Sequence, residues 1–174
     1  MSHLFDLDGK AALVSAKVRV TMAAACLLLP GASAAQAAPA ELDAYARVVA
    51  ILDGTTAYVA ESLLACAAAN VLTEGEAEER FKSYLARNAA SAARAEAWSR
   101  EVEGRLRARG EERAARQRAE EAGLSAIASS SQQAEREIGA APDARTMCAA
   151  RLAAIEAGAL DLSRNPEFLD LLGR

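Results

Sequence analysis

Histidine is nearly missing from this chain: His3 is the one example in 174 residues. Behind position 37 there is none. Residues 38–174 therefore cannot assemble a Ser-His-Asp or Cys-His nucleophilic apparatus, nor offer His ligands to zinc, a di-iron bundle site or haem. Lysine is almost as scarce, at positions 10, 17 and 82, and Lys82 beside Ser83 is thin ground for a Ser-Lys pair. No Cys-x-x-Cys spacing occurs. Three Phe, three Tyr and one Trp leave few aromatics to line a sugar cleft, which carboxylate-based glycoside hydrolysis would need. These absences point away from an enzyme, and neither a cofactor nor a metal is expected.

Proline is confined to positions 30, 39, 142 and 166, and none interrupts 43–138. Hydrophobic residues make up 52% of the chain, but much of that is Ala, which buries little area. A core of Ala, Leu and Val suits closely packed helices and would fill a β-sandwich badly. The fold class expected is all-α. Arg far outnumbers Lys, and with the Ala excess this reads as coding from a GC-rich bacterial genome. The formal net charge of −4 is too small to imply a polyanionic partner.

The first forty residues have their own order. Lys10, Lys17 and Arg19 precede an apolar run from Val20 to Leu29; Pro30-Gly31 and a small-residue stretch follow, with Ala35-Gln36-Ala37 as an A-x-A site. This is the order of a secretory signal peptide cleaved before Ala38. The run is too short to span a bilayer as a helix, which takes about 20 residues. Residues 1–37 are thus read as a leader, with a start near Val18 as an alternative beginning, and 38–174 as a single helical domain. Leu4 to Ser15 resembles the first strand of the short-chain dehydrogenases. The glycine-rich turn that would hold a dinucleotide there is replaced by Ala16-Lys17-Val18-Arg19, so no cofactor site is carried over. Removing Lys10, Lys17 and Arg19 with Asp6 and Asp8 leaves 38–174 at a formal −5.

From Pro39 onward the pattern is helical. Tyr45, Val49, Leu52, Thr56, Val59, Leu63, Cys66 and Asn70 keep an unbroken 4-3 spacing, the mark of one apolar seam. Gly54-Thr55-Thr56 is a weak spot and a candidate kink. Thr73 and Glu76 stand in capping-box spacing ahead of a second seam: Phe81, Leu85, Asn88, Ala92, Ala95, Ser99, Val102 and Leu106, with Trp98 flanking it. A single helix over 74–138 would run about 97 Å at 1.5 Å per residue and carry Cys148 far from Cys66; the other path is a reversal near Gly104 to Gly110, and the spacing alone leaves both open. The return helix has a poor seam of Ala115, Ala119, Ala122, Ala126 and Ile127, with Ser129-Ser130-Ser131 as a further break. Pro142 and Asp143 open another helix, with Cys148, Leu152, Ile155, Ala159 and Leu162 at 4-3 spacing. Asn165 and Pro166 start a short helix over 166–172.

Two surface features offer partner contacts. Six Arg lie between 105 and 118, among them Arg105, Arg109, Arg113 and Arg116. They read as a solvated face laced with Glu pairs or as a weak anionic-surface site. No aromatic interleaves them, so nucleic acid is not expected. The apolar tail, with Phe168, Leu171 and Leu172, either folds back on the bundle or docks a partner.

Cys66 and Cys148 carry the sharpest reading. An exported chain enters an oxidising compartment, and two surviving cysteines pair there. Pairing in one chain requires the region between them to go out and return. The expected architecture is an antiparallel bundle of four helices with a long Arg/Glu-rich central hairpin, one disulfide and no transmembrane segment in 38–174. The function expected is that of a periplasmic or secreted, non-catalytic binding protein of the bacterial envelope: an adaptor, inhibitor or chaperone. Its partner would be an envelope protein. The alternative is a self-assembling coiled-coil protein in which the seams of the second and third helices pair between chains.

Overall fold

A computed structural model describes residues 39–173; the leader expected over 1–37 and its alternative start lie outside the described residues. Among those described the chain is helical without strands, an all-α bundle with one disulfide. Helix α1, Pro39–Ala68, starts on its proline, with Glu41 in the first turn, where the helix dipole favours a negative charge. It stops because Asn70 takes φ +54°, a left-handed conformation that Asn tolerates better than most residues. The Val71 N–H then donates back to the Cys66 carbonyl at 3.0 Å. Asn70 therefore ends the helix, exposed, and does not extend the seam as the spacing had predicted.

The capping box forms as expected. Thr73 Oγ1 accepts the Glu76 N–H at 3.2 Å while the Glu76 carboxylate accepts the Thr73 N–H at 2.7 Å. Helix α2, Glu74–Ala108, follows. The reversal falls at Gly110, φ +76°, and α3, Glu112–Ala134, returns and runs on into a π-helical turn, Glu135–Gly139. Helix α4, Ala144–Glu156, is capped by Asp143, whose carboxylate accepts the Thr146 N–H at 3.0 Å. A 3₁₀ turn, Leu162–Arg164, leads to α5, Pro166–Leu171, where Asn165 accepts the Phe168 N–H at 3.0 Å.

Helix α1 is the axis. Four apolar clusters are strung along it, and each contains α1 residues. Tyr45 packs with Val102, Leu106, Ala115 and Ala119, and Val48 with Ala95, Leu162, Phe168 and Leu172. Val59 and Leu63 meet Ala77, Tyr84 and Ile155, and Cys66 meets Ile138 and Cys148. The order of these contacts makes the topology up-down-up-down, with α2 and α4 antiparallel to α1 and α3 parallel to it. By length and composition α1 is apolar enough to cross a membrane. Here Val48, Val59 and Leu63 of that surface are buried against α2, α4 and the C-terminal segment, and between 41 and 67 only Arg47 is exposed.

Several registers differ from the spacing argument. On α2 the buried aromatic is Tyr84, while Phe81 and Leu85, placed on the seam by period, lie half-buried on either side of it. A 3-4 path through Ala77, Phe81, Tyr84 and Asn88 satisfies the helix as well as one through Leu85. Gly54 does not kink α1. It is buried where α3 crosses, and a Cβ there would lie 3.1 Å from Ala126 Cβ. The poor seam of α3 is a close-packed face of Ala115, Ala119 and Gly123, while Ile127 and Leu124 point outward at 37% and 61% exposure. The serine run does not break α3. Finally, α4 does not reach Ala159 and Leu162, because Gly158 at φ +67° ends it.

Candidate functional site

A groove of about 590 Å³ lies between the C-terminal end of α1 and the π-helical turn. Leu64, Ala65, Ala68 and Ala69 form one bank; Ile138, Gly139 and Ala144 form the other. Beneath it lies the disulfide. Cys66 and Cys148 are fully buried, with Cα atoms 5.6 Å apart, and Ile138 packs on them. The floor is thus held covalently at the point where α1 ends and α4 begins.

Two carboxylates stand at its edge, Glu61 and Glu135. Burial pushes the Glu61 carboxyl above its ordinary range, and the like charge of Glu135 adds to the shift. Neither has a basic side chain within ion-pair distance among the described residues. Glu61 is also the one charged residue between Asp53 and Glu74.

The π-helical turn forming the second bank is braced from the other side. Tyr58 donates its hydroxyl proton to Glu137, Gln133 donates to the same carboxylate at 2.8 Å, and Arg151 pairs with it. The Arg151 guanidinium also lies 4.7 Å from the centre of the Tyr58 ring, a cation–π contact. These contacts hold the Glu137 carboxyl below its ordinary range, chiefly through the Tyr58 hydroxyl and then Gln133. Burial, and then Glu137, pushes Tyr58 up to about 12. A π-helical turn puts an extra residue into the turn and is frequent at functional sites.

The residues singled out by sequence sit elsewhere. Arg105 and Arg109 both pair with Glu41, lashing the far end of α2 to the start of α1, and Arg116 pairs with Glu112 on its own helix. Glu41 is lowered by Arg109 first and Arg105 second. Of the four arginines only Arg113 has no ion-pair partner among the described residues, so little free positive charge is left for an anionic surface. In the tail, Phe168 and Leu172 are 1% and 8% exposed inside the Val48 cluster, with Leu171 half-buried beside them. Those side chains have folded back on the bundle. A second, shallower depression of about 300 Å³ lies between α1 and α3, but its Arg47 and Arg118 are already paired with Glu167 and Asp43.

Sequence reasoning found the cysteine pair and missed the groove. The signal was Glu61, a lone carboxylate in an otherwise apolar half-helix. Among the described residues no cluster of three or more His, Cys, Asp or Glu could hold a metal. No protein-family model, curated protein or solved structure matches this chain.

Proposed function

We propose that this is an exported, disulfide-stapled helical bundle of the bacterial cell envelope that works by binding another protein, as an adaptor, inhibitor or chaperone-like molecule, and not by catalysis. The observation that carries the reading is the Cys66–Cys148 bond, buried at the core end of α1. Such bonds persist in secreted and periplasmic compartments and are reduced in a bacterial cytosol. The leader-like order of residues 1–37 and the missing histidines of 38–174 support it from the sequence side. The self-assembling alternative is weakened because the α2 and α3 seams it would use, Val102, Leu106, Ala115 and Ala119, turn inward onto Tyr45.

The test is photo-cross-linking in intact bacteria that express the full chain, combined with fractionation. The expected result is a chain starting at Ala38 in the envelope fraction, without titratable thiols after denaturation, and cross-linked to a different envelope protein. A cytoplasmic chain with two free thiols overturns the reading. Adducts only between copies of the chain favour self-assembly instead.

A further inference from the structure

The groove has a chemistry that selects its occupant. We propose that it docks a basic amphipathic helix of the partner, with apolar side chains on Leu64, Ala65 and Ala68 and a Lys or Arg between Glu61 and Glu135. The inference rests on the binding reading above and deepens it by naming the partner's chemistry.

Three observations carry it. First, the banks are built largely from Ala65, Ala68, Ala69, Gly139 and Ala144; such small side chains let a helix backbone come close, as the α1–α3 crossing at Gly54 does within the chain. No sheet edge exists among the described residues, so a partner strand has no template, whereas a helix needs only an apolar groove. Second, the two edge carboxylates have no cation within ion-pair distance among the described residues and repel each other, and burial already penalises the charge on Glu61. An incoming ammonium or guanidinium relieves both costs, and a charge-assisted hydrogen bond to a carboxylate is about twice as strong as a neutral one. Third, the bank carrying Glu135 is preformed, because the Tyr58–Glu137–Arg151 brace fixes the π-helical turn before any ligand arrives. Met147, one turn beyond Ala144 on α4, is 36% exposed and adds adaptable apolar surface at that end. A phospholipid tail would suit the apolar banks, but its anionic headgroup would meet the same carboxylates unfavourably.

The proposal is tested on the oxidised chain beginning at Ala38. Fluorescence anisotropy compares a labelled amphipathic peptide of Leu and Lys with the same peptide carrying Gln, and then Glu, at every Lys. The Lys peptide should bind, the Gln peptide more weakly and the Glu peptide least. The E61Q/E135Q double variant should lose about tenfold in affinity for the Lys peptide, the scale of one charge-assisted contact. The A68W variant, altered at an exposed position, should block the groove while melting like the parent. Absence of Lys-peptide binding, equal binding of the Lys and Gln peptides, or unchanged affinity in E61Q/E135Q overturns the proposal. If E61Q/E135Q still cross-links to the same envelope protein in cells, the groove falls and the binding reading stands. If the chain is cytoplasmic and reduced, that reading falls whatever the peptide does.

Discussion

Gly54 on α1 and Ala126 on α3 stand so close that a methyl group added to the glycine would lie 3.1 Å from the alanine Cβ and 3.2 Å from Ser130 Oγ. Gly123 does the same from the other side, facing Val49 and Asp53. This close contact between α1 and α3 is thus made by residues with almost no side chain, and bulk there should be costly.

Gly54→Leu should destabilise the chain by about 1–3 kcal/mol, the usual cost of overpacking. Gly104→Ala, on the solvent side of α2 with no neighbour inside 4 Å, should stabilise it by about 0.5–1 kcal/mol through helix propensity. Urea unfolding of both variants checks the contrast. A neutral Gly54→Leu would mean the α1–α3 crossing is loose.

Asn88 holds the C-terminal segment. The residue is 4% exposed. It accepts the Leu162 N–H at 2.7 Å and donates to the Tyr84 carbonyl at 2.9 Å and to Asp161 at 3.2 Å. Asn88→Leu leaves the Leu162 N–H buried without its acceptor, at a cost of about 1–3 kcal/mol. The loss should be local. Hydrogen exchange should show amides 162–172 losing protection while those of α2 and α3 keep theirs.

Asp53 and Glu61 each cost stability while charged. Burial raises the Asp53 carboxyl above its ordinary value, and burial followed by Glu135 raises Glu61. The folded chain therefore takes up these protons first. The cost of their charge is present at neutral pH, falls away as pH drops through the folded pKa values, and is fully relieved below the unfolded ones. Glu41 and Glu137 run the other way. Lowered by Arg109 and then Arg105, and by Tyr58 and then Gln133, they contribute above the ordinary glutamate range and stop contributing as pH falls through their folded values. Asp53→Asn should raise the Tm at neutral pH and leave it unchanged well below the ordinary aspartate value of 3.8. Melts of parent and variant across pH decide it; a lower Tm for the variant at neutral pH would count against the assignment.

The disulfide should be the largest single covalent contribution. Cys66 and Cys148 are separated by 82 positions, and losing such a bond typically costs about 2–5 kcal/mol. The double variant Cys66→Ser, Cys148→Ser should unfold at correspondingly lower urea. Adding reductant to the parent should approach the same midpoint, and no shift in either case would show that the bond carries no stability.

What could be read beforehand was whatever is written locally. Thr73 with Glu76, and Asn165 with Pro166, are short-range capping signals, and both helices start where those residues say. The Cys66–Cys148 pair was legible because these are the two cysteines beyond position 37, each on an apolar helix seam. Other features depend on long-range packing and leave weaker traces. Tyr84 and Leu85 are adjacent, and period alone cannot decide which turns inward. Gly54 looks like a flaw until Ala126 is placed against it. The π-helical turn has no propensity signature in Glu135–Gly139. The groove exists because the end of α1 meets that turn and the start of α4, which lie far along the chain from it.

The bond between Cys66 and Cys148 also closes a ring. Helices α2 and α3, with the exposed Gly110 turn at their tip, lie wholly inside the covalent loop, while most of α1 and the C-terminal segment hang from it as two tails. A protease cutting once after Arg107 or Arg109 would open the ring without releasing a fragment. The nicked molecule would keep its full mass until reduced, and both halves of the hairpin would remain tethered within reach of their places on α1.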